Sequence, residues 1–509
     1  MTRLKILLVY PEVPQTFWSL THALWFLGRK AFSPPLGLLT VAAMLPEGTE
    51  RRLVDLNTAS LGDDDIRWAD YVFISAMAIQ SASARTLINR CKQFGKKIVA
   101  GGPLFTTSAE DFADVDHLVL NEAEITLPEF LRDLANGEAK PRYTSEERAD
   151  LHVSPLPAYE LLDTKPYALL AVQFSRGCPN QCDFCNVTSL FGHRPRIKTA
   201  SQIVAELDQI YKLGWKGKIS FVDDNLLCNK KYLKDELLPA IIEWQRGKDG
   251  ISFHTQVSMN LADDQELIER MYTAGFEWVF IGIETPDETC LAECSKRQNL
   301  KRNMAEELAR IQKAGLQILG GFIVGFDHDS PDIFQRQFNF IQGSGIVMAM
   351  VGLLQAPPGT RLYERLKQEK RLLRETFTPD SVVFDTNFTT IMDRGILLSK
   401  YKQLVNQLYA PGSYYGRVRV LLSRLKPPKA KLPFSWDTAK ALARCFFWLG
   451  LVREGRGQFW QTLLWTCFNK PKNVDSFLVL AMFGYHFRKV YNDVVATPVP
   501  GQAGQFTPT

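Results

Sequence analysis

Residues 173–185 read Gln173-Phe-Ser-Arg-Gly-Cys-Pro-Asn-Gln-Cys-Asp-Phe-Cys185. Three cysteines at C-x3-C-x2-C spacing on a loop with Gly and Pro can wrap one iron–sulfur cubane, each thiolate taking one iron. The fourth iron then lacks a protein ligand, and a small molecule can chelate it through an amino and a carboxylate group. Catalytic and metal-binding roles are therefore expected at Cys178, Cys182 and Cys185. Two plainer readings compete. A zinc site needs a fourth ligand, and His193 lies near enough in sequence, but ribbon and finger spacings are missing. Buried structural thiols explain one or two cysteines better than three on such a loop. Elsewhere, Cys290 and Cys294 repeat a C-x3-C spacing, yet two cysteines on one helix cannot complete a cubane. Cys91, Cys228, Cys445 and Cys467 read as core or surface residues. Nine cysteines with three clustered do not make a disulfide framework, and they point to a reducing compartment.

The elements that position this loop are legible as alternating patterns, and the fold class is α/β. Five strand candidates (Lys5–Val9, Arg52–Val54, Tyr71–Ser75, Lys97–Ala100, His117–Leu120) alternate with helical stretches such as Leu36–Met44 and Ser81–Phe94. They predict a doubly wound, Rossmann-like parallel sheet over residues 1–140, with ligands at the strand carboxyl ends. Residues 141–165, polar and charged, read as a linker. Over residues 166–370 six further candidates follow: Leu170–Ser175, Lys218–Val222, Ser252–Gln256, Trp278–Ile281, Gln317–Val324 and Val347–Leu354. Each precedes a helical segment such as Ser201–Leu213, which suits an open (β/α)6 barrel with its site at the strand carboxyl ends. Residues 371–509 form a mainly helical extension rich in aromatics, with disorder expected from Ala496 to Thr509.

Composition limits the function classes. The 509 residues carry 60 basic and 55 acidic side chains, net +5, with no concentrated basic face for nucleic acid. The apolar run Ile6–Tyr10 is too short for a signal peptide and reads as a buried strand. No apolar run is long enough to span a bilayer; Ala441 to Phe468 is broken by Arg444, Arg453, Glu454 and Arg456. A cytoplasmic protein, at most peripheral to a membrane, is expected.

The cysteine loop resembles the motif of the radical S-adenosylmethionine (SAM) superfamily, with Phe184 in the aromatic place before the last cysteine. The resemblance continues through Phe221-Val-Asp-Asp-Asn225, Gly282-Ile-Glu-Thr285, Gly320-Gly-Phe-Ile-Val-Gly-Phe326 and Gln355-Ala-Pro-Pro-Gly-Thr360. It implies a [4Fe–4S] cluster and SAM contacts at Phe184, Asp223, Asp224, Gln256, Glu284, Gly320, Gly321, Val324 and Pro358. An ionised Glu284 is acceptor-only, which suits a ribose hydroxyl or an ammonium; the Gly320–Gly321 pair lets backbone approach a ligand. The implied chemistry is one-electron reductive cleavage of SAM to a radical that abstracts hydrogen from unactivated C–H bonds.

The first domain resembles the cobalamin-binding domain that precedes many such barrels. The matching segments are Val9-Tyr-Pro11, Pro34-Pro-Leu-Gly-Leu38, Val99-Ala-Gly-Gly-Pro103 and Asn121-Glu-Ala-Glu-Ile-Thr126. Cobalamin contacts are implied at Pro11, Ser75, Gly101, Gly102, Pro103, Glu122 and Glu124. The Asp-x-His-x-x-Gly motif that supplies a histidine to cobalt is missing; Asp150-Leu-His152 lies in the linker. The alternative is a sheet domain that no longer binds cobalamin, or that binds something else. Arg194, Arg196 and Lys198 read either as a solvated basic loop or as positioning residues. His254 and Gln256 are expected to face the barrel mouth. The aromatic tail reads as a helical cap, as a lining for a greasy substrate or as a membrane-surface contact. Arg456-Gly-Gln-Phe-Trp460 and Gly484-Tyr-His-Phe487 resemble the C-terminal extension of the subgroup that includes the hopanoid C-2 methylases. The resemblance therefore implies a cobalamin-dependent C-methyltransferase acting on a hydrophobic or polycyclic small molecule, with flavodoxin or ferredoxin as electron donor. Ring closure, ring contraction or oxidation without methyl transfer is the alternative chemistry, and a sensor without turnover a third reading.

Overall fold

In the computed structural model, which describes residues 3–373, 385–429 and 436–496, the first domain is a wholly parallel sheet. Its strands are β1 (Lys5–Tyr10), β2 (Glu50–Asp55), β3 (Tyr71–Ser75), β4 (Lys97–Gly101), β5 (His117–Val119) and β6 (Arg142–Tyr143). The order is β2-β1-β3-β4-β5-β6. The winding reverses at β1, so a crevice opens at the carboxyl ends of β1 and β3. Ile6, Leu7, Leu8 and Val9 are all buried, because helices cover both faces of the sheet and no alternation is needed. The expected linker is not a free tether. It opens with β6 and buries Tyr143, Ala149, Leu151 and Tyr159.

The second sheet begins with β7 (Leu169–Val172). A short antiparallel pair, β8 (Ser175–Arg176) and β9 (Arg196–Ile197), brackets the cysteine loop. The sheet continues with β10 (Lys218–Phe221), β11 (Ser252–Val257), β12 (Phe276–Glu284), β13 (Gln317–Val324) and β14 (Met348–Leu353). The order β14-β13-β12-β11-β10-β7 is an open, all-parallel half barrel. Its helices start on side-chain caps that satisfy their first N–H groups. Thr199 and Gln202 form a reciprocal capping box, and Asp264, Asp287 and Thr360 cap others.

An open barrel leaves two strand edges unpaired, and both are covered. Along β7, the segment around Ala31 pairs in parallel with Tyr167, and the Ala31 and Phe32 carbonyls accept from the Ala168 and Leu169 N–H groups. This segment, from the first domain in sequence, belongs in space to the barrel. So does helix α1 (Thr21–Leu27), which packs against the tail. Along β14, tail tyrosines supply the missing donors. Tyr409 Oη donates to the Ala349 carbonyl at 2.6 Å and Tyr401 Oη to the Val351 carbonyl at 2.9 Å.

The tail is helical, as expected: α2 (Arg394–Tyr409), α3 (Pro411–Arg424), α4 (Trp436–Phe447), α5 (Arg456–Asn469) and α6 (Val474–Ala496). The expected disorder beyond Ala496 lies outside the described residues. One apolar core runs from Phe17 and Phe26 through the barrel to Phe477 and Phe487. Among the described residues no helix is long and apolar enough to cross a membrane.

Candidate functional site

The cysteine loop leaves the carboxyl end of β7 and is fixed mainly by backbone. Gly177 sits at φ +90°, and a Cβ there would meet the carbonyl oxygens of Gly192 and Phe191 at 3.0 and 3.1 Å. The Cys185 N–H donates to the Cys182 carbonyl, forming a tight turn, and the Asp183 N–H donates to the Cys294 carbonyl. Phe184 packs into an apolar knot with Cys290, Cys294, Phe326 and Leu354. The second cysteine pair is thus buried packing that anchors the loop. Cys178, Cys182 and Cys185 are half-buried free thiols. Burial pushes the Cys178 thiol up and the Cys185 thiol to about 12, while Lys296 nearby opposes the rise. Gln298 Nε2 donates towards Cys182 Sγ at 3.6 Å.

These three thiols fit a cubane: each is accessible, all stand on one loop, and a cation and an amide donor face the sulfurs. Among the described residues, no three His, Cys, Asp or Glu side chains converge on a point suited to one metal ion. A cubane asks for no such convergence, since each thiolate binds a different iron.

The carboxyl ends of the barrel strands surround this loop, but not every expected SAM residue faces it. Asp223 is fully buried and accepts bonds from the N–H groups of Phe174 and Ser175 and from Ser175 Oγ, so it fixes the start of the cysteine loop. Burial raises its carboxyl to about 7, against those donors. Asp224 is only half-buried, and burial raises it to about 6. Glu284, at φ +65°, turns at the end of β12 and its Oε1 meets Lys296 Nζ at 2.5 Å in a buried ion pair. Sequence reasoning missed Lys296, which lies twelve residues later and outside any motif. Gly282, which opens the Gly282–Thr285 segment, leaves room for this pair: a Cβ there would meet Glu284 Oε1 and Lys296 Nζ.

A Cβ on Gly320 would meet Phe322 and Ile346, so its small size serves packing on the helix side. Gly321 faces the opposite way, against Phe280. The Val324 side chain lies in the core, and the half-buried Ile323 beside it packs, like Phe184, on the Cys290–Cys294 knot. Pro358 is half-buried on the loop after β14, where Gly359 approaches Ser189 beside the cysteine loop.

In the first domain, Pro11, Ser75, Gly101, Gly102 and Pro103 stand together at the strand ends. Gly102 is at φ +90° and a Cβ would meet Ser75 Oγ at 2.7 Å; one on Gly101 would meet the Val119 carbonyl at 2.6 Å. The glycines thus hold the β3, β4 and β5 ends close, leaving a low, small-residue edge that fits a flat corrin. None of the seven histidines stands at the carboxyl end of a first-sheet strand. Glu122 and Glu124 are engaged within the protein. Glu124 takes a bidentate contact from Arg176, and Glu122 pairs with Arg176 at 3.2 Å and Arg196 at 2.7 Å. Burial raises the Glu124 carboxyl, but Arg176 holds it below its usual range. These buried pairs join the first sheet to β8 and β9, the brackets of the cysteine loop. Arg196 and Lys198 are therefore not a solvated loop; Lys198 pairs with Glu206 at 2.5 Å, and both are buried.

The barrel lumen is aromatic. Trp18, from the segment after β1, meets Phe280 edge-on at 5.5 Å and donates its indole N–H to Met350 Sδ at 2.9 Å. Phe483 of α6 meets Trp278 at 5.6 Å. Trp18, Trp278, Phe280 and Met350 are all only half-buried, and Gln256 on the same face is exposed. His254 contacts Ser220 Oγ through Nε2 at 3.2 Å, while its buried Nδ1 finds no partner among the described residues. Burial and Lys218 push its pKa down to about 3, so it stays neutral.

Comparison with known proteins agrees with this anatomy. The radical SAM superfamily profile matches residues 172–341, the B12 binding domain residues 28–131, and a domain of unknown function residues 360–498. An uncharacterised methyltransferase of Synechocystis sp. is 36% identical over 505 residues, 98% of this chain and 94% of the relative. The hopanoid C-2 methylase of Rhodopseudomonas palustris is 32% identical over 478 residues, 91% of this chain and 89% of the relative. In fold, the chain resembles OxsB, a cobalamin-dependent SAM radical enzyme, at TM-score 0.61 and 14% identity, covering 97% of this chain and 80% of that one. It also resembles the radical SAM methyltransferase TsrM, at TM-score 0.54 and 15% identity, over 72% and 78%. With its cysteine loop, its strand-end charges and its small-residue sheet edge in place, the chain belongs to the cobalamin-binding radical SAM enzymes, in the methyltransferase group that includes hopanoid C-2 methylase.

Proposed function

We propose that the protein transfers a methyl group to an unactivated carbon of a hydrophobic, polycyclic small molecule held in the barrel lumen. The observation that carries the substrate class is the lining of Trp18, Trp278, Phe280 and Met350, half-open apolar side chains, with the buried ring of Phe483 packed against Trp278; all three parts of the chain contribute. When bound, the cluster and SAM supply one-electron hydrogen abstraction, and the corrin supplies the methyl group. The chain's own residues hold and orient. Cys178, Cys182 and Cys185 ligate the cluster. The Glu284–Lys296 pair offers a carboxylate and an ammonium, the complements of the ammonium and carboxylate of methionine. Asp224, Gln256, Ile323 and Pro358 border the same mouth, and Gly321 makes room for the Phe280 ring of the lining. Pro11, Ser75, Gly101, Gly102 and Pro103 form the edge that would hold a corrin.

Trp18 and Phe483 fill the lateral opening and exclude water from the lumen. His254, neutral and with one unused ring nitrogen, can bond a single polar group on an otherwise apolar substrate. An electron donor of the flavodoxin or ferredoxin class and a reducing, cytoplasmic setting complete the reading. The test is anaerobic reconstitution with methyl-deuterated SAM and an apolar extract of a deletion strain. Deuterated methyl in one apolar product is the expected result. Deoxyadenosine formed with an unlabelled, cyclised or oxidised product would sink methyl transfer.

A further inference from the structure

We propose that the face built by α4, α5 and α1 docks on the surface of an anionic lipid bilayer. The inference stands apart from the methylation chemistry and does not depend on it. Helix α5 buries Phe459, Thr462, Leu463 and Thr466 on one side. On the other, Trp460, Leu464 and Phe468 recur at four-residue spacing and are exposed, Phe468 by 84%. The Trp460 indole donates to the Gly450 carbonyl at 2.8 Å and its ring stacks on Phe446 at 5.9 Å. That contact sets the α5 row beside the end of α4, where Phe447, Leu451 and Val452 are exposed as well. Trp25 of α1, also exposed, meets Trp448 at 5.9 Å and accepts through its carbonyl from Arg444. One apolar face thus runs across three helices, and contiguous exposed apolar surface of this kind marks an interaction site.

Charge decides the occupant. Residues 436–475 carry six cations (Lys440, Arg444, Arg453, Arg456, Lys470, Lys472) against three acids (Asp437, Glu454, Asp475). Lys440, Arg456 and Lys472 are exposed, and the Arg453 guanidinium lies 4.9 Å over the Trp448 ring. Aromatic and aliphatic side chains beside lysine and arginine, on helices that do not cross a membrane, are the composition of an interfacial surface. A second copy meeting this face about a two-fold axis would bring the cationic surplus against itself, whereas anionic headgroups neutralise it.

The experiment uses the full chain and phosphatidylcholine vesicles with and without phosphatidylglycerol. The protein should sediment with the phosphatidylglycerol vesicles, less so at high salt. Combining Trp460→Ser, Leu464→Ser and Phe468→Ser should weaken that binding about tenfold or more, with circular dichroism and melting unchanged. Should that variant misfold, the exposed pair Arg456→Gln and Lys472→Gln decides, and it should lose the preference for phosphatidylglycerol. Three results would overturn the proposal: sedimentation with neither vesicle, equal binding by wild type and folded variants, or a concentration-dependent dimer that the triple variant dissolves. Methyl transfer to a detergent-dispersed substrate would persist in each, so the two readings fail separately.

Discussion

Cys182 sits between a turn that it closes with Cys185 and an amide donor, Gln298, that faces its sulfur. Cys182→Ala removes one of three iron ligands, so reconstituted protein should lose most of its iron and all deoxyadenosine formation, read by iron analysis and chromatography. Lys296 is the residue to test beside it. Lys296→Met leaves the Glu284 carboxylate buried without its partner, which costs about 3–5 kcal/mol when a buried pair is broken on one side. Urea unfolding should show that loss, and SAM binding should weaken with it. The cysteines were legible because their chemistry is local: spacing along a loop is distance in space. Lys296 was not legible, because its contact with Glu284 depends on how the chain returns to the strand end. The engagement of Asp223 was not legible either: the direction of its side chain is set by the Ser175 and Phe174 donors opposite.

At the scale of elements, the cysteine loop is positioned from the first domain as much as from the barrel. Arg176 of β8 spans Glu122 and Glu124, and its removal strands the buried Glu124 carboxylate and leaves Glu122 with Arg196 alone. Arg176→Met should cost about 3–5 kcal/mol and expose the junction near residues 141–165 to limited proteolysis. The β14 edge makes a second case. Tyr409→Phe leaves the buried Ala349 carbonyl without its donor, a loss of about 1–3 kcal/mol, read from denaturant midpoints. Strand positions were legible to within three residues at either end because apolar runs and β-branching report burial directly; β12, expected at Trp278–Ile281, runs from Phe276 to Glu284. The two-residue β6, β8 and β9 carry no such signal. Their pairing comes from tertiary contacts, so the linker and the basic loop looked solvated in the sequence.

At the scale of the whole molecule, the tail and the first domain meet inside the barrel's open side. His486 of α6 contacts the carbonyls of Thr16 and Phe17 at 3.1 Å, and Phe17 stacks on Phe487 at 4.1 Å. Burial pushes the His486 pKa down to about 4. The unfolded chain therefore binds more protons between its ordinary value, about 6.5, and 4. Stability from this residue is present above about 6.5 and is lost as pH falls towards 4. Melting temperature across that window should drop more for wild type than for His486→Gln, which keeps a donor and does not titrate. An equal drop in both would mean that other groups control the acid limb.

The sequence by itself determined the cluster chemistry, the α/β order of the two sheets and the helical tail. Each of these is written in local spacing: thiols on one loop, apolar runs of strand length, and periodic faces of helices. Only the tertiary structure decided which carboxylates meet arginines, which face of β13 a glycine serves, and which aromatics enter the lumen. Those outcomes depend on side-chain direction and on contacts between residues hundreds of positions apart, such as Trp18 with Met350. Spacing along the chain does not fix such contacts. They form when the barrel's open side must be closed, and the chain closes it with its first domain and its tail.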